Sequence, residues 1–182
     1  MHYQFADRVR EIDADGAGEI ALAKTFPRTE DFFDGTFRPA NEVPSSLVLE
    51  TMASAGALLL AVRSRYRANG LLLKVTRATF PEPVRAGEEL IVRLRLTVTQ
   101  GDWTGTAGPA HVGMAQTLAR GFVGETTVAE ADLLFVCVPM AWVLGSQGDE
   151  ALIHYLDLMG IADARPWERG RLPSAASTPR DE

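Results

Sequence analysis

The amino-acid sequence predicts an α+β fold in which one long buried helix is wrapped by a curved antiparallel sheet. Three observations carry this prediction. Residues 45–66 are apolar almost without interruption, residues 1–25 divide into two short alternating segments, and residues 71–138 form a run of longer alternating segments. A helix that is apolar on every side is typical of a buried element, and a period of two is typical of half-buried strands. One helix packed on one sheet is the arrangement that results.

The opening of the chain is predicted to form a hairpin. Residues 1–13 carry spaced apolar side chains, and residues 13–18 are rich in Asp and Gly, which form turns. Residues 19–25 then alternate as a strand, with Ile20 and Leu22 on one face. Two short strands joined by a Gly-rich turn are typical of a hairpin.

The helix is predicted over residues 45–66. Ser45 or Ser46 is the expected N-cap, because a serine hydroxyl accepts a hydrogen bond from a free backbone N–H at a helix start. The dipeptide Asn69-Gly70 is the expected end, because it is a strong turn signal.

Four strands are predicted after the helix, over residues 71–80, 89–99, 112–123 and 126–138. The second alternates most clearly, and its predicted core-facing residues are Leu90, Val92, Leu94, Leu96 and Val98. A single sheet around one helix leaves strand edges exposed and the core incomplete. Dimerisation by sheet extension would correct both defects.

Composition limits the classes to which the chain can belong. Its 182 residues are 46% hydrophobic with a net charge of −6, which fits one soluble domain and lacks the basic stripe of a duplex nucleic-acid binder. The single cysteine, Cys137, excludes an internal disulfide, and no apolar leader opens the chain. The longest apolar run, residues 55–62, is shorter than the ~20 residues that span a bilayer. We therefore expect a soluble cytoplasmic protein that binds neither nucleic acid nor membrane.

Three regions are predicted along the chain. Residues 1–140 hold the sheet and the helix, residues 141–169 form a C-terminal extension, and residues 170–182 form a disordered tail rich in Pro, Ser and Ala. Within the extension, residues 149–159 are predicted to form a short helix with Leu152, Ile153, Leu156 and Met159 on its apolar side. No His, Cys and Asp cluster has metal-ligand spacing and no Gly-rich phosphate loop is present, so neither metal nor cofactor is expected.

The loop before the helix is the first candidate functional segment. Residues 26–44 hold Phe26, Phe32, Phe33 and Phe37 among prolines and glycines, with no strand or helix period. A solvated linker seldom carries so many aromatic side chains, and ordered loops of this length are often functional.

This loop and the helix carry a resemblance to a known family. Residues 32–37, Pro44 and residues 47–56 resemble the loop-and-helix signature of the hotdog-fold 3-hydroxyacyl-[acyl carrier protein] dehydratases, the FabA/FabZ-like family. Further segments resemble the same family in the same order along the chain, namely residues 7–9, 78–90 and 129–135. The resemblance implies the hotdog fold, which is usually dimeric, and a substrate carried as an acyl thioester in fatty-acid or polyketide biosynthesis.

The resemblance also implies a catalytic pair, and this chain retains half of it. Glu50 occupies the position of the family's catalytic helix carboxylate, whereas Thr36 stands fourteen residues earlier, where the family has its catalytic histidine. The neighbouring loop and helix start are implied to contact the substrate, and these residues are Phe33, Gly35, Phe37, Pro44, Ser45, Ser46 and Ser54.

Three functions remain open from the sequence. Dehydration needs a base for the C2 proton, and threonine does not serve as one near neutral pH. The chain is therefore expected to be inactive alone or to lend Glu50 to a His-containing hotdog partner, since the family shares its catalytic pair across the dimer interface. The alternatives are a thioesterase that uses Glu50, helped by Thr51 or Ser54, and a non-catalytic acyl-chain binding subunit. A structural role for Glu50, paired with an arginine such as Arg38, also stays open.

A basic cluster is the last candidate. Arg63, Arg65 and Arg67 follow the helix, and Arg85 follows the next strand. They are either a solvated helix end, favourable to the helix dipole, or a docking surface for an acidic acyl carrier protein or the phosphates of a CoA thioester.

Overall fold

The computed structural model describes residues 6–30, 33, 41–102 and 113–140. Within them the chain forms six strands and one helix. In chain order these are β1 (Arg8–Asp13), β2 (Glu19–Thr25), α1 (Ser45–Arg63), β3 (Ala68–Thr79), β4 (Glu89–Gly101), β5 (Gly113–Val123) and β6 (Thr126–Pro139). The strands form one antiparallel sheet in the order β1-β2-β4-β5-β6-β3. The predicted α+β fold with one helix wrapped by one antiparallel sheet is confirmed.

The helix packs across the inner face of this sheet. Residues along α1 such as Met52, Ala55 and Leu59 are fully buried, as is Phe135 of β6 below them. By length and composition α1 is apolar enough to cross a membrane, but more than half of it is already buried inside this chain. Its apolarity is therefore that of a core helix.

The predicted start of the helix at residue 45 is confirmed, but the predicted serine cap was wrong. Pro44 is the N-cap, with φ −53° and ψ 130°, and no side chain caps the helix. Ser45 is instead the first helical residue. The reason is that an N-cap needs extended backbone with a free carbonyl, which proline supplies: the Pro44 carbonyl accepts from the N–H of Leu47 at 2.9 Å.

The C-terminal end of α1 comes at Arg63, three residues before the predicted end. Arg65 and Tyr66 turn the chain with positive φ values of 54° and 59°. The dipeptide Asn69-Gly70 therefore lies inside β3 rather than in a turn. Gly70 is required there for close packing, because a Cβ at this position would stand 2.6 Å from Cδ1 of Leu60 on the helix.

One predicted core residue faces the opposite side. The register of β4 against β5 shifts between Leu96 and Val98, and Val98 is 42% exposed. Because side chains alternate with a period of two, one extra residue in a strand sends every later side chain to the other face. The other predicted core residues of β4, from Leu90 to Leu94, are buried as expected.

The two sheet edges are β1 and β3. Edge strand β3 carries three consecutive exposed leucines, Leu71, Leu72 and Leu73, at 43%, 39% and 57% exposure. The prediction that a single sheet leaves exposed edges is confirmed. An exposed apolar edge is a template for pairing with another strand.

The described fold ends at Met140, whose N–H donates to the Arg67 carbonyl at 2.9 Å. The predicted boundary at residue 140, the predicted helix over residues 149–159 and the predicted tail over residues 170–182 lie at or beyond that point. The extension and the tail are outside the described residues and stay predictions.

Candidate functional site

Glu50 lies on the side of α1 that faces away from the sheet. Its side chain is exposed, and it makes no hydrogen bond or ion pair with any residue that the structure describes. Ser46, one turn earlier, is exposed, and Ser54, one turn later, is half-buried. The expectation of a helix buried all round is therefore wrong on this side. Among the described residues the sheet covers only one side of α1, and the Glu50 side chain is exposed on the other side.

Thr51 does not share this side. Its side chain is fully buried, and its hydroxyl donates to the Leu47 carbonyl at 2.9 Å. Such a bond to the preceding turn satisfies the hydroxyl within the helix. Of the two hydroxyl residues considered as helpers of Glu50, only Ser54 lies on its side of the helix.

A pocket of about 320 Å³ opens beside the first turn of α1. It is lined from the helix by Ser45 and Val48, from the segment before the helix by Glu42, and from the segment after β3 by Phe80 and Glu82. The first backbone N–H groups of a helix lack intrahelical partners and attract partial negative charge, and here no side chain caps them. The pocket therefore combines an apolar wall with a helix N-terminus.

The sequence argument missed Phe80 and Glu82 as pocket residues. Both lie in the segment 78–90 that resembles the dehydratase family. Two contacts bring this segment to the helix start: an isolated bridge between Glu42 and Arg85, and a 2.8 Å hydrogen bond from the Val43 N–H to the Val84 carbonyl. The family motif identified this segment in the sequence, but nothing in the sequence indicated that the segment lies beside the helix start.

The facing loop is only partly described. Thr36, Gly35, Phe37 and Arg38 lie outside the described residues, so the distance between Thr36 and Glu50 stays untested. Phe33 is half-buried and packs against the core. This position anchors the start of the loop to the body of the protein.

The opening motif Asp7-Arg8-Val9 has a structural explanation. The Asp7 carboxylate accepts from the Thr25 N–H at 2.6 Å and from the Lys24 ammonium at 2.9 Å. Lys24 is 6% exposed and also lies 5.4 Å from the centre of the Phe26 ring. Asp7 thus neutralises a buried cation at the point where the candidate functional loop begins.

The four predicted docking arginines do not form one cluster within a chain. Arg85 lies near the N-terminus of α1, whereas Arg63, Arg65 and Arg67 lie at its C-terminus, about 28 Å away along a 19-residue helix. Arg63 is also engaged in the fold, because its guanidinium donates to the carbonyls of Ala14 and Gly16 in the β1–β2 turn. Arg65 and Arg67 are exposed.

Cys137 is buried at 1% exposure on the inner face of the sheet. Burial raises the pKa of its thiol to about 11, and the nearby Asp102 carboxylate contributes to this rise. A thiol with so high a pKa is a weak nucleophile at neutral pH. Among the described residues no His, Cys, Asp and Glu grouping could hold a metal ion.

A larger depression lies elsewhere, on the outer face of the sheet. It encloses about 560 Å³ and is lined by charged side chains, including Arg93 of β4 and Arg120 of β5. It is on the opposite side of the sheet from α1, so we do not assign it to the acyl site.

Comparison with solved structures supports the hotdog fold. The chain superimposes on a putative thioesterase, a phenylacetic acid degradation-related protein from Ralstonia eutropha, with a TM-score of 0.52 and 20% identity, covering 71% of this chain and 82% of that one. It also matches a point mutant of the fluoroacetyl-CoA-specific thioesterase FlK, with a TM-score of 0.53 and 9% identity, covering 76% and 92%. At such identities the likeness concerns the fold alone.

Sequence relatives give the family. Residues 1–132 match the model of the FabA-like domain. The chain is 32% identical over 136 residues to the 3-hydroxyacyl-[acyl-carrier-protein] dehydratase FabZ of Protochlamydia amoebophila, covering 75% of this chain and 80% of that protein. It is 30% identical over 139 residues to the FabZ of Chlamydia muridarum, covering 75% and 83%. The chain therefore belongs to the FabA-like family of hotdog proteins.

Proposed function

We propose that this chain holds 3-hydroxyacyl or polyketide thioesters of an acyl carrier protein in a dehydratase-type site, in the cytoplasm, and supplies only the acid of the catalytic pair. The base would come from a His-containing hotdog partner. The observation that carries the proposal is the family match over residues 1–132, which includes Glu50 on a side of α1 that the described residues leave exposed and a second subunit could cover.

The chemistry explains why the missing histidine matters. In dehydration a base removes a proton from C2, the C3–O bond breaks, and an acid protonates the departing hydroxyl to give water and a 2-enoyl thioester. In the assembled dimer, where the second subunit would shield its carboxyl group from bulk water, Glu50 would donate the proton to the leaving oxygen and be reprotonated afterwards. Thr36, which stands at the family's histidine position, has no basic group for the first step.

The proposed assembly is a dimer formed through β3. This strand is a sheet edge with three exposed leucines, and pairing it with the β3 of a second hotdog subunit would extend the sheet and bury them. Such pairing would also bring a second subunit close to the uncovered side of α1. A heterodimer would then place a partner's histidine loop near Glu50.

For the carrier we propose docking at Arg65 and Arg67. Both are exposed at the end of α1, and neither makes a hydrogen bond or ion pair through its guanidinium within the described residues. An acidic carrier protein or the phosphates of a CoA thioester would be attracted to this end. Arg63 is a poorer candidate, because the β1–β2 turn already occupies its guanidinium.

A second candidate function is thioester hydrolysis. The uncapped N-terminus of α1 opens on the 320 Å³ pocket, where its backbone N–H groups would polarise a thioester carbonyl. Glu50 would then activate water or attack the carbonyl. We rank this function second, because the sequence relatives are dehydratases.

The first experiment places a histidine at position 36 to supply the missing base. Wild type, Thr36→His, Thr36→His/Glu50→Gln and the surface control Glu125→Gln would be incubated with 3-hydroxyacyl and saturated acyl carrier thioesters, and the products followed by mass. We expect no water loss from the wild type alone and water loss from Thr36→His. That activity should fall by about 10²-fold or more in the double variant.

A second arm adds the wild type, or Glu50→Gln, to a FabZ whose own catalytic carboxylate has been removed. Restored dehydration that depends on Glu50 supports the shared site. Free acid released by the wild type would assign the chain to the thioesterases instead. Absence of any turnover in both arms would reject catalysis by Glu50 and leave a binding subunit.

A further inference from the structure

An apolar patch lies at one end of the outer face of the sheet, opposite the face that holds α1. Met114 of β5 is directly opposite Val136 of β6, and Val136 is directly opposite Leu71 of β3. Directly opposed residues share a face. In the next row Leu134 and Val98 lie on either side of Gln116, each beside the first row. We call these residues the outer apolar patch: Leu71, Val98, Met114, Leu134 and Val136.

The patch is open to solvent in the described part of the chain. Leu71, Val98 and Met114 are 43%, 42% and 40% exposed. Single exposed apolar residues are ordinary on protein surfaces, but an apolar row across three neighbouring strands, with Val98 diagonal to it on a fourth, indicates a surface that another element covers. The bulge in β4 is what adds Val98 to it.

The chain itself supplies a nearby segment. The described fold ends at Met140, four residues beyond Val136 on β6, and 42 residues follow it. Four strand residues span about 13 Å, whereas the eight residues 141–148 reach about 26 Å when extended. Residue 149 can therefore return to the patch from the end of β6.

The following residues match the patch in pattern and length. Residues 149–159 place Leu152, Ile153, Leu156 and Met159 at helical spacing on one side. An 11-residue helix is about 16 Å long, and the four strands β4-β5-β6-β3 span about 14 Å at ~4.8 Å between neighbours. Such a helix would cross the patch from one side to the other.

The segment 141–163 and the surface beside the outer apolar patch also carry opposite charges. Residues 141–163 contain four Asp or Glu and no Lys or Arg. Beside the patch, Lys74 of β3 lies directly opposite Leu134 of β6. Lys74 has no ion pair among the described residues, so a nearby acidic segment would supply one.

We propose that residues 149–159 form a helix that docks on the outer apolar patch of the same chain. The sheet would then be covered by α1 on its inner face and by the C-terminal helix on part of its outer face. This docking is independent of Glu50 and of the acyl site, which lie on the other side of the sheet.

Cross-linking of the full chain tests the contact. The pair Met114→Cys/Leu156→Cys should form an intramolecular disulfide on mild oxidation, because its side chains would meet at the centre of the patch. The control pair Glu125→Cys/Leu156→Cys should not, since Glu125 lies in the β5–β6 turn at the far end of the sheet. Peptide mapping separates the linked pair from the buried native Cys137.

Hydrogen exchange gives a second readout without new cysteines. In the wild type, amides of residues 149–159 should exchange about tenfold or more slowly than in Leu156→Asp or in the patch variant Met114→Asp. His154→Asp, on the opposite side of the predicted helix, should keep the slow exchange. Fast exchange in the wild type, or a Met114–Leu156 disulfide that links two chains, would overturn docking within one chain.

Discussion

The aromatic ring of Phe135 on β6 lies against the backbone of Gly56 in the middle of α1. A Cβ added at Gly56 would stand 2.7 Å from Cε2 of Phe135 and closer still to Cζ. Phe135 is fully buried, so its ring is enclosed by protein. The absence of a side chain at this one helical position sets how closely the helix and the sheet approach.

This contact predicts that Gly56→Ala destabilises the protein. Helix propensity alone would favour alanine by about 1 kcal/mol, but overpacking a closed core costs about 1–3 kcal/mol and should prevail. The free energy of unfolding in urea measures the sign. In Gly56→Ala/Phe135→Leu the loss should be smaller than the sum of the two single losses. A higher unfolding free energy for Gly56→Ala would contradict the contact.

Cys137 predicts a loss of stability at alkaline pH. Burial, followed by the Asp102 carboxylate, raises the folded-state pKa of the thiol from 9.0 to about 11. Because the folded pKa is raised, the unfolded chain loses its proton first, and stability present below pH 9 is lost as the pH rises toward 11. The unfolding free energy should fall by about 1.4 kcal/mol more between pH 8 and pH 10 than in Cys137→Ala. Parallel pH profiles for the two proteins would refute this assignment.

Ionisation of Tyr66 predicts a second loss of folding stability, at a higher pH than that of Cys137. Burial raises the pKa of its phenol from 10.0 to about 12, so its own contribution is lost between those values. Tyr66→Phe should therefore flatten the pH dependence of unfolding above pH 10 and leave the profile near pH 9 unchanged. Absorbance titration of the folded protein checks the phenol directly, and ionisation near pH 10 would be the contrary result.

Arg63 is predicted to act on the fold rather than on a carrier. Its guanidinium holds the carbonyls of Ala14 and Gly16 in the β1–β2 turn. Arg63→Gln should lower the unfolding free energy by about 1–2 kcal/mol and speed amide exchange in β1 and β2. The exposed control Arg67→Gln should change stability by less than about 0.5 kcal/mol. Equal effects of the two substitutions would argue against the turn contact.

The β3 edge predicts the oligomeric state. If strand β3 pairs with that of a second subunit, Leu73→Lys should reduce the molar mass in solution from that of a dimer to that of a monomer, because the charge cannot be buried in the pairing surface. Light scattering after size exclusion measures this. Glu125→Lys, in the exposed β5–β6 turn, is the control and should remain a dimer. A monomeric wild type would exclude the homodimer.

Alternation and apolar content were enough to predict the main elements of the fold. The strands at residues 89–99, 112–123 and 126–138 agree with β4, β5 and β6 to within two residues at each end. Periodicity succeeds there because a sheet with one buried face requires apolar side chains at every second position. The cap and the C-terminal end of α1 were less well predicted, since Pro44 and the positive φ of Arg65 and Tyr66 depend on the packing around them.

The sequence by itself determined the family and the six strands with one helix, whereas the assignment of Thr36 to the family's histidine position is a prediction from the spacing to Glu50. Only the tertiary structure decided that Glu50 lies on the uncovered side of the helix, that Thr51 is buried, and that Val98 faces outward. The physical reason is that a pattern records which residues are apolar, whereas exposure depends on the register of neighbouring strands and on which side of a helix a sheet covers.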